Sequence, residues 1–221
     1  AQFAIDREKM TLAEAVQFYP KSMVSRYAPG QFMSYTNDGP NIAGYIVEKV
    51  SGMPFQDFVQ QRILDPLNMN ASGYFSNSDY MKKHLVHDFR TYPTYHLILD
   101  WPSAGMATNA TDMANYLRFF LHKGRVDSIQ LISQQSLKRM ESPKTTLAAK
   151  AGMDMGGGLG LFTQYYKGEK MIVHSGSLPG FGSEMTFLPE QDLAFFYTCT
   201  TDESFVYEDL YSAVLEVIAG P

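Results

Sequence analysis

Apolar residues recur at helical spacing through Ile42, Ala43, Ile46, Val47 and Val50, which predicts a helix starting just after residue 37. Pro40 suits its first turn, where a fixed φ helps and no N–H partner is needed. Asn37 or Asp38 can cap the orphan N–H groups, and Gly52 supplies a left-handed position just past the end. A second helix is predicted from about Pro54 to Leu64, stopped by Asp65-Pro66. Upstream, Thr11 to Tyr19 reads as a short helix, with Thr11 and Glu14 at capping-box spacing and Pro20 ending it. Tyr27-Ala28-Pro29-Gly30 is a turn that leads toward Tyr35. Between Asn70 and Pro102 the periodicity is lost, which reads as long surface loops, and Trp101 to Met106 reads as a tight buried turn. Asn109 or Thr111 opens a helix through Met113, Leu117, Phe120 and Leu121 to Gly124. Ser133 to Met140 forms another.

The pattern changes after Lys144. Strands are predicted at Leu159–Tyr166, Lys170–His174, Ser183–Leu188 and Leu193–Thr200. Turns at Lys167-Gly168-Glu169 and Pro189-Glu190-Gln191-Asp192 separate them, as in an antiparallel meander. Gly156-Gly157-Gly158 lacks the Gly-Lys-Ser/Thr of a phosphate loop and reads instead as a flexible link into the first strand. A last helix over about Ser204 to Ile218 carries Val206, Leu210, Val214 and Val217 on one face. Helices first, then antiparallel strands with a closing helix, make an α+β fold. Residues 1–145 form its mainly helical region and 146–221 its sheet.

Composition narrows the function more than the fold. With 221 residues and 45% apolar content the chain can bury a sizeable core. A net charge of −5 and the absence of a basic run argue against a nucleic-acid surface. No apolar stretch approaches the ~20 residues of a membrane helix. The single Cys199 excludes an internal disulfide and sits in the apolar run Leu193 to Cys199, so it reads as an inert thiol. His84 and His87 share a helical spacing, but only Asp79 and Asp88 lie near, too few for a metal site of ordinary ligand spacing. Asp112 reads as serving the start of its helix. Nothing calls for a metal or a cofactor.

Two polar clusters remain as candidate chemistry. The first is Tyr35-Thr36-Asn37, held at the mouth of the helix that follows it. The second is His174-Ser175-Gly176-Ser177 at the end of a strand. Gly176 permits close approach to the backbone. An exposed strand edge there offers the Ser177 N–H as an oxyanion donor. His174 can orient or protonate a substrate, and Tyr35 can act as a base if a cationic neighbour draws off its proton. A structural reading, a satisfied turn and a hydrogen-bonding strand histidine, stays open for both clusters.

Ordered motifs add to these residues. Tyr35-Thr36-Asn37, the run from Gly44 to Phe55, Ile63-Leu64-Asp65-Pro66-Leu67-Asn68-Met69, Ser103 to Met113, His174-Ser175-Gly176 and Pro179-Gly180-Phe181-Gly182-Ser183 follow one another over most of the chain. Together they resemble the serine beta-lactamase-related family of class C beta-lactamases, D-Ala-D-Ala carboxypeptidases, esterases and peptidases. The resemblance implies a penicillin-recognising fold and hydrolysis of an ester or amide through an acyl-serine intermediate. It implies that Tyr35 exchanges a proton with the nucleophile or leaving group and that Asn37 bonds the substrate amide and the catalytic lysine. His174 and Gly176 would line the strand along which substrate lies, and the Ser177 N–H would form half of the oxyanion hole. Family habit favours an extracytoplasmic location.

Two departures qualify that picture. The family nucleophile is a Ser in Ser-x-x-Lys, and no Ser here has a Lys three residues later. The expectation is a C-terminal portion of a larger hydrolase, inactive by itself. The alternative is a non-catalytic binding module of the same fold for peptidoglycan-like or acyl ligands. A portion of this kind should expose a sheet edge or an apolar face that another segment or chain covers. The second departure is His174, where true beta-lactamases usually carry Lys. A neutral imidazole holds a carboxylate less firmly than an ammonium, which shifts the expected activity toward an esterase or peptidase.

Overall fold

A computed structural model describes residues 11–17, 27–74, 101–178, 181–200 and 204–219. The predicted surface loops between Tyr74 and Trp101, with His84, His87, Asp79 and Asp88, lie outside the described residues, as do Pro20, Pro179 and Gly180. The described residues form two compact groups, 11–17, 27–28, 34–74 and 101–112 in the first, 29–33 and 113 onward in the second.

In the first group, α1 (Leu12–Gln17) starts with the expected capping box. The Thr11 N–H donates to Glu14 Oε2 at 2.8 Å and the Glu14 N–H donates to Thr11 Oγ1 at 3.3 Å. Helix α2 (Asp38–Ser51) ends at Gly52, whose φ of 70° lets its N–H return to the Glu48 carbonyl at 3.0 Å. Glu48 Oε1 also accepts from the Phe55 N–H at 2.9 Å and so aims the start of α3 (Phe55–Val59). The second predicted helix changes pitch after Val59. Gln60–Leu64 is a π-helical turn, with the Asp65 N–H bonded to the Gln60 carbonyl. Strand β1 (Gly73–Tyr74) pairs antiparallel with β2 (Met106–Ala107). The tight turn expected at residues 101–106 contains a short helix, α4 (Trp101–Ala104).

The apolar residues that mark α2 in the sequence are not the ones it buries. Ile42, Ile46 and Val50 are 40%, 55% and 83% exposed, while Asn41 and Gly44 are buried. The cause is local. A Cβ on Gly44 would stand 3.4 Å from Leu12 of α1 and from the Pro102 ring of α4. The helix is approached most closely where it has no side chain, so its large aliphatic residues stay outside.

Helix α5 (Ala110–Leu121) contributes its first turn to the first group. Asn109 Oδ1 accepts from the Asp112 N–H at 2.8 Å, a cap of the expected kind. The buried Asp112 carboxylate accepts from the Ala71 N–H at 2.9 Å and the Ser72 hydroxyl at 2.7 Å. Asp112 therefore ties a loop about forty residues upstream to the helix start.

The second group holds a short antiparallel pair, β3 (Arg125–Val126) with β4 (Ile129–Gln130), and is built on a five-stranded antiparallel sheet in the order β5-β6-β7-β8-β9. Its strands are β5 (Gly156–Gly157), β6 (Phe162–Tyr166), β7 (Glu169–Leu178), β8 (Phe181–Leu188) and β9 (Leu193–Cys199). Strand alternation sends neighbouring side chains to opposite faces. Ile172 and Phe187 face a cluster with Leu117 and Phe120 of α5 and Leu137 of α6 (Gln134–Glu141). Met171, Val173 and Leu188 face Leu215 of the C-terminal helix α8 (Ser204–Ala219). Helices α5 and α6, which the order of predicted elements set among the helical residues, thus supply one side of the sheet's core. On α8 the inward residues are Tyr211, Leu215 and Ile218, whereas Leu210 is exposed and Val217 is 84% exposed. The face predicted for α8 is partly its outer one.

The glycine run is a packing surface rather than a flexible link. Gly156 and Gly157 pair with Thr163 and Phe162 as the edge strand β5. A Cβ on Gly156 would overlap the side chain of Thr146, which caps α7 (Leu147–Lys150). One on Gly157 would overlap Met33 Sδ, and one on Gly158 the Met140 carbonyl oxygen. Three partners from three parts of the sequence converge on three residues without side chains.

Candidate active site

Asn37 occupies the N-cap position of α2, yet its side chain makes no capping hydrogen bond. Thr36 does that work, since its Oγ1 accepts from the Asp38 N–H at 3.2 Å. The Asn37 amide is exposed, and the Tyr35 ring is 64% exposed two residues earlier. The start of α2 therefore carries an exposed phenol and an exposed carboxamide two residues apart.

His174, Gly176 and Ser177 lie together on β7. Here the lengths of the strands matter. β6 pairs with β7 from Glu169 to Val173 and ends there, whereas β8 accompanies β7 on its other side as far as Leu178. From His174 to Leu178 one edge of β7 has no strand beside it among the described residues. Ser175, Gly176 and Ser177 are exposed and His174 is half-buried. The imidazole stands 5.9 Å, ring to ring, from Phe162, the residue at which β6 starts. A Cβ at Gly176 would come within 3.1 Å of Ser183 Oγ, so the bare backbone there keeps the strand surface low.

Sequence reasoning missed a polar cluster on the α8 face of the same strands. Glu184 pairs directly with Ser175 and with Tyr197. Its carboxylate accepts from Thr186 Oγ1 at 3.3 Å and the Tyr197 hydroxyl at 3.4 Å, and the Tyr211 hydroxyl also bonds to it. Burial pushes the Glu184 carboxyl up, partly offset by these donors. Burial and the facing carboxylate push the Tyr197 and Tyr211 phenols up as well. A lone Glu in an apolar strand was the one visible signal, and its partners lie 13 and 27 residues away in sequence, by the numbering 184, 197 and 211.

Tyr35 and Asn37 belong to the first compact group, and His174, Gly176 and Ser177 to the second. Cys199 is a partly buried free thiol on β9. Among the described residues no group of three or more His, Cys, Asp or Glu side chains is placed to hold a metal ion.

A family profile described as beta-lactamase matches residues 4–218. Protein flp of Staphylococcus aureus (strain NCTC 8325 / PS 47) is 26% identical over 174 residues, covering 75% of this chain and 33% of that protein. The chain thus spans about a third of the length of the curated relatives it matches. Among solved structures, the octameric penicillin-binding protein homologue from Pyrococcus abyssi superimposes with a TM-score of 0.70 at 23% identity, covering 87% of this chain and 44% of the other. The D-amino acid amidase from Ochrobactrum anthropi SV3 also gives 0.70, at 20% identity, covering 95% and 65%. These structural likenesses show the penicillin-binding type of fold.

Proposed function

The chain belongs to the beta-lactamase family, and from that premise we propose that it carries the tyrosine and strand motifs of a serine hydrolase. The substrate is an ester, amide or peptide, cleaved through an acyl-serine whose nucleophile lies outside these 221 residues. The observation that carries this reading is the unaccompanied edge of β7 from His174 to Leu178, directly beyond the end of β6. A carbonyl laid along that edge meets backbone N–H groups, among them that of Ser177, which stabilise negative charge on its oxygen. Tyr35 passes a proton between nucleophile and leaving group, and Asn37 holds the substrate amide. His174, in place of an ammonium, leaves a substrate carboxylate weakly anchored and favours esters and peptides over beta-lactams.

The test is turnover of nitrocefin and of p-nitrophenyl acetate by the full-length natural protein. Faster ester turnover, lost on Tyr35→Phe, supports the proposal. Binding of acyl ligands without any turnover supports the second reading, a non-catalytic binding module of the same fold. In either case we propose that a further segment or chain covers the outer edge of β9 and the exposed aliphatic stripes of α2 and α8.

A further inference from the structure

We propose that Glu184 is a positioning residue for the free edge of β7, tying the part of the sheet that carries residues 174–178 to helix α8 through the Tyr211 hydroxyl. The inference rests on the oxyanion role proposed for that edge and goes beyond it by naming what holds the edge in place. Every residue it uses lies in the second compact group. Where the sheet narrows, apolar packing also runs out. His174 pairs with Met185 and Met185 with Phe196, and Met185 and Phe196 still pack against the core on the α5 side. The next three rows hold residues 175–177 of β7, 182–184 of β8 and 197–199 of β9, and none of the nine is aliphatic. Hydrogen bonds take over there. Thr198 Oγ1 donates to the Gly182 carbonyl at 3.1 Å. Gly182 pairs with Ser177 and Glu184 with Ser175, so both fixed points stand directly behind the edge.

Glu184 gathers three hydroxyls. Thr186 Oγ1 donates to it at 3.3 Å and the Tyr197 hydroxyl at 3.4 Å, and the third bond comes from Tyr211 of α8. The Tyr211 hydroxyl also accepts from Gln164 Nε2 of β6 at 2.9 Å and stands 3.6 Å from Met171 Sδ of β7. One phenol on the helix thus touches β6, β7 and β8, and Glu184 carries that contact into the rows that β6 does not reach. A carboxyl suits the position because its two oxygens can take several donors at once, which a single hydroxyl cannot. An oxyanion donor has to stand within about 0.5 Å of its productive place, so the strand that bears it needs a fixed support. Residues 182–184 are that support, and Glu184 fastens them to a helix.

The test is amide hydrogen exchange of the full-length natural protein without substrate, read by mass spectrometry on overlapping peptides. Glu184→Leu removes the acceptor and keeps the bulk, Tyr211→Phe removes the hydroxyl from α8, and Glu184→Gln keeps an acceptor. In Glu184→Leu and Tyr211→Phe, exchange over residues 174–178 and 181–185 should quicken by about 10-fold or more, while residues 163–172 change by less than about twofold. Glu184→Gln should return most of the protection. Unchanged exchange at residues 174–178 overturns the proposal. So does a rise spread equally over the sheet, the mark of a residue that only stabilises the fold, and so does a Glu184→Gln protein as open as Glu184→Leu. If Glu184→Leu does not fold, Tyr211→Phe and Glu184→Gln, each set against wild type, decide the matter. Ester turnover by full-length Glu184→Leu should fall by about 10-fold in kcat with KM little changed, because an oxyanion donor acts in the transition state. An unchanged kcat overturns the positioning role. Local loosening in a protein that turns over neither p-nitrophenyl acetate nor nitrocefin counts against the hydrolase reading alone.

Discussion

Single residues carry two of the expectations. Tyr35→Phe in the full-length protein keeps the ring and removes the transferable proton, so kcat should fall by about 10²-fold or more with KM little changed, as steady-state ester kinetics will show. Glu184 makes a prediction about stability. Its folded carboxyl is raised by burial, so the folded state holds the proton more tightly than the unfolded chain does. The stabilisation from this site is complete below the unfolded value and is lost as pH rises through the folded one. Glu184→Gln, which still accepts the Tyr197 and Thr186 hydroxyls, should raise Tm at pH 8 relative to wild type. The gap should close toward pH 4, as paired thermal melts will show. Tyr35, Asn37 and His174 stood out in the sequence as polar clusters, and the ordered motifs added to them; each alone resembles a turn or a structural histidine. Glu184 gave no such signal, because its burial is decided by strand pairing with residues that sequence spacing does not bring together.

At the scale of elements, the meander was readable because alternation and turn chemistry agree. Lys167 at φ 49° and Gly168 at φ 89° form the two-residue turn between β6 and β7, and Asp192 at φ 51° helps the turn before β9. Thr11 and Asn109 cap their helices as the sequence implied, and Ser133 caps the helix that follows it. What failed was the choice of face on α2 and the meaning of the three glycines. Both depend on what comes close from elsewhere in the chain, which a periodicity does not contain. Ile46→Lys and Val50→Lys on the outer face of α2 should therefore change stability by no more than about 0.5 kcal/mol in urea melts. Gly158→Ala sets a methyl group against the Met140 carbonyl, which backbone cannot yield cheaply. It should cost about 2–3 kcal/mol by the same measurement.

Among the described residues several large apolar side chains stand exposed. β9, with the sequence Leu-Ala-Phe-Phe-Tyr-Thr-Cys, is a sheet edge among the described residues and carries neither proline nor charge to blunt it. Val217 on α8 and the α2 stripe add exposed aliphatic side chains. Light scattering of the 221-residue chain should rise with concentration, and Val217→Lys combined with Ile46→Lys should reduce that rise without lowering Tm. The antiparallel sheet and its closing helix were legible in the chain. One further consequence follows from the unequal strands. β7 runs ten residues against a neighbour of five. On the proposed reading, a guest seated in that gap would be recognised by its main chain, which every peptide shares. Such a site would be tolerant by construction, and discrimination between guests would then fall to side chains away from residues 174–178. Substitutions there should retune preference while leaving the capacity to bind intact.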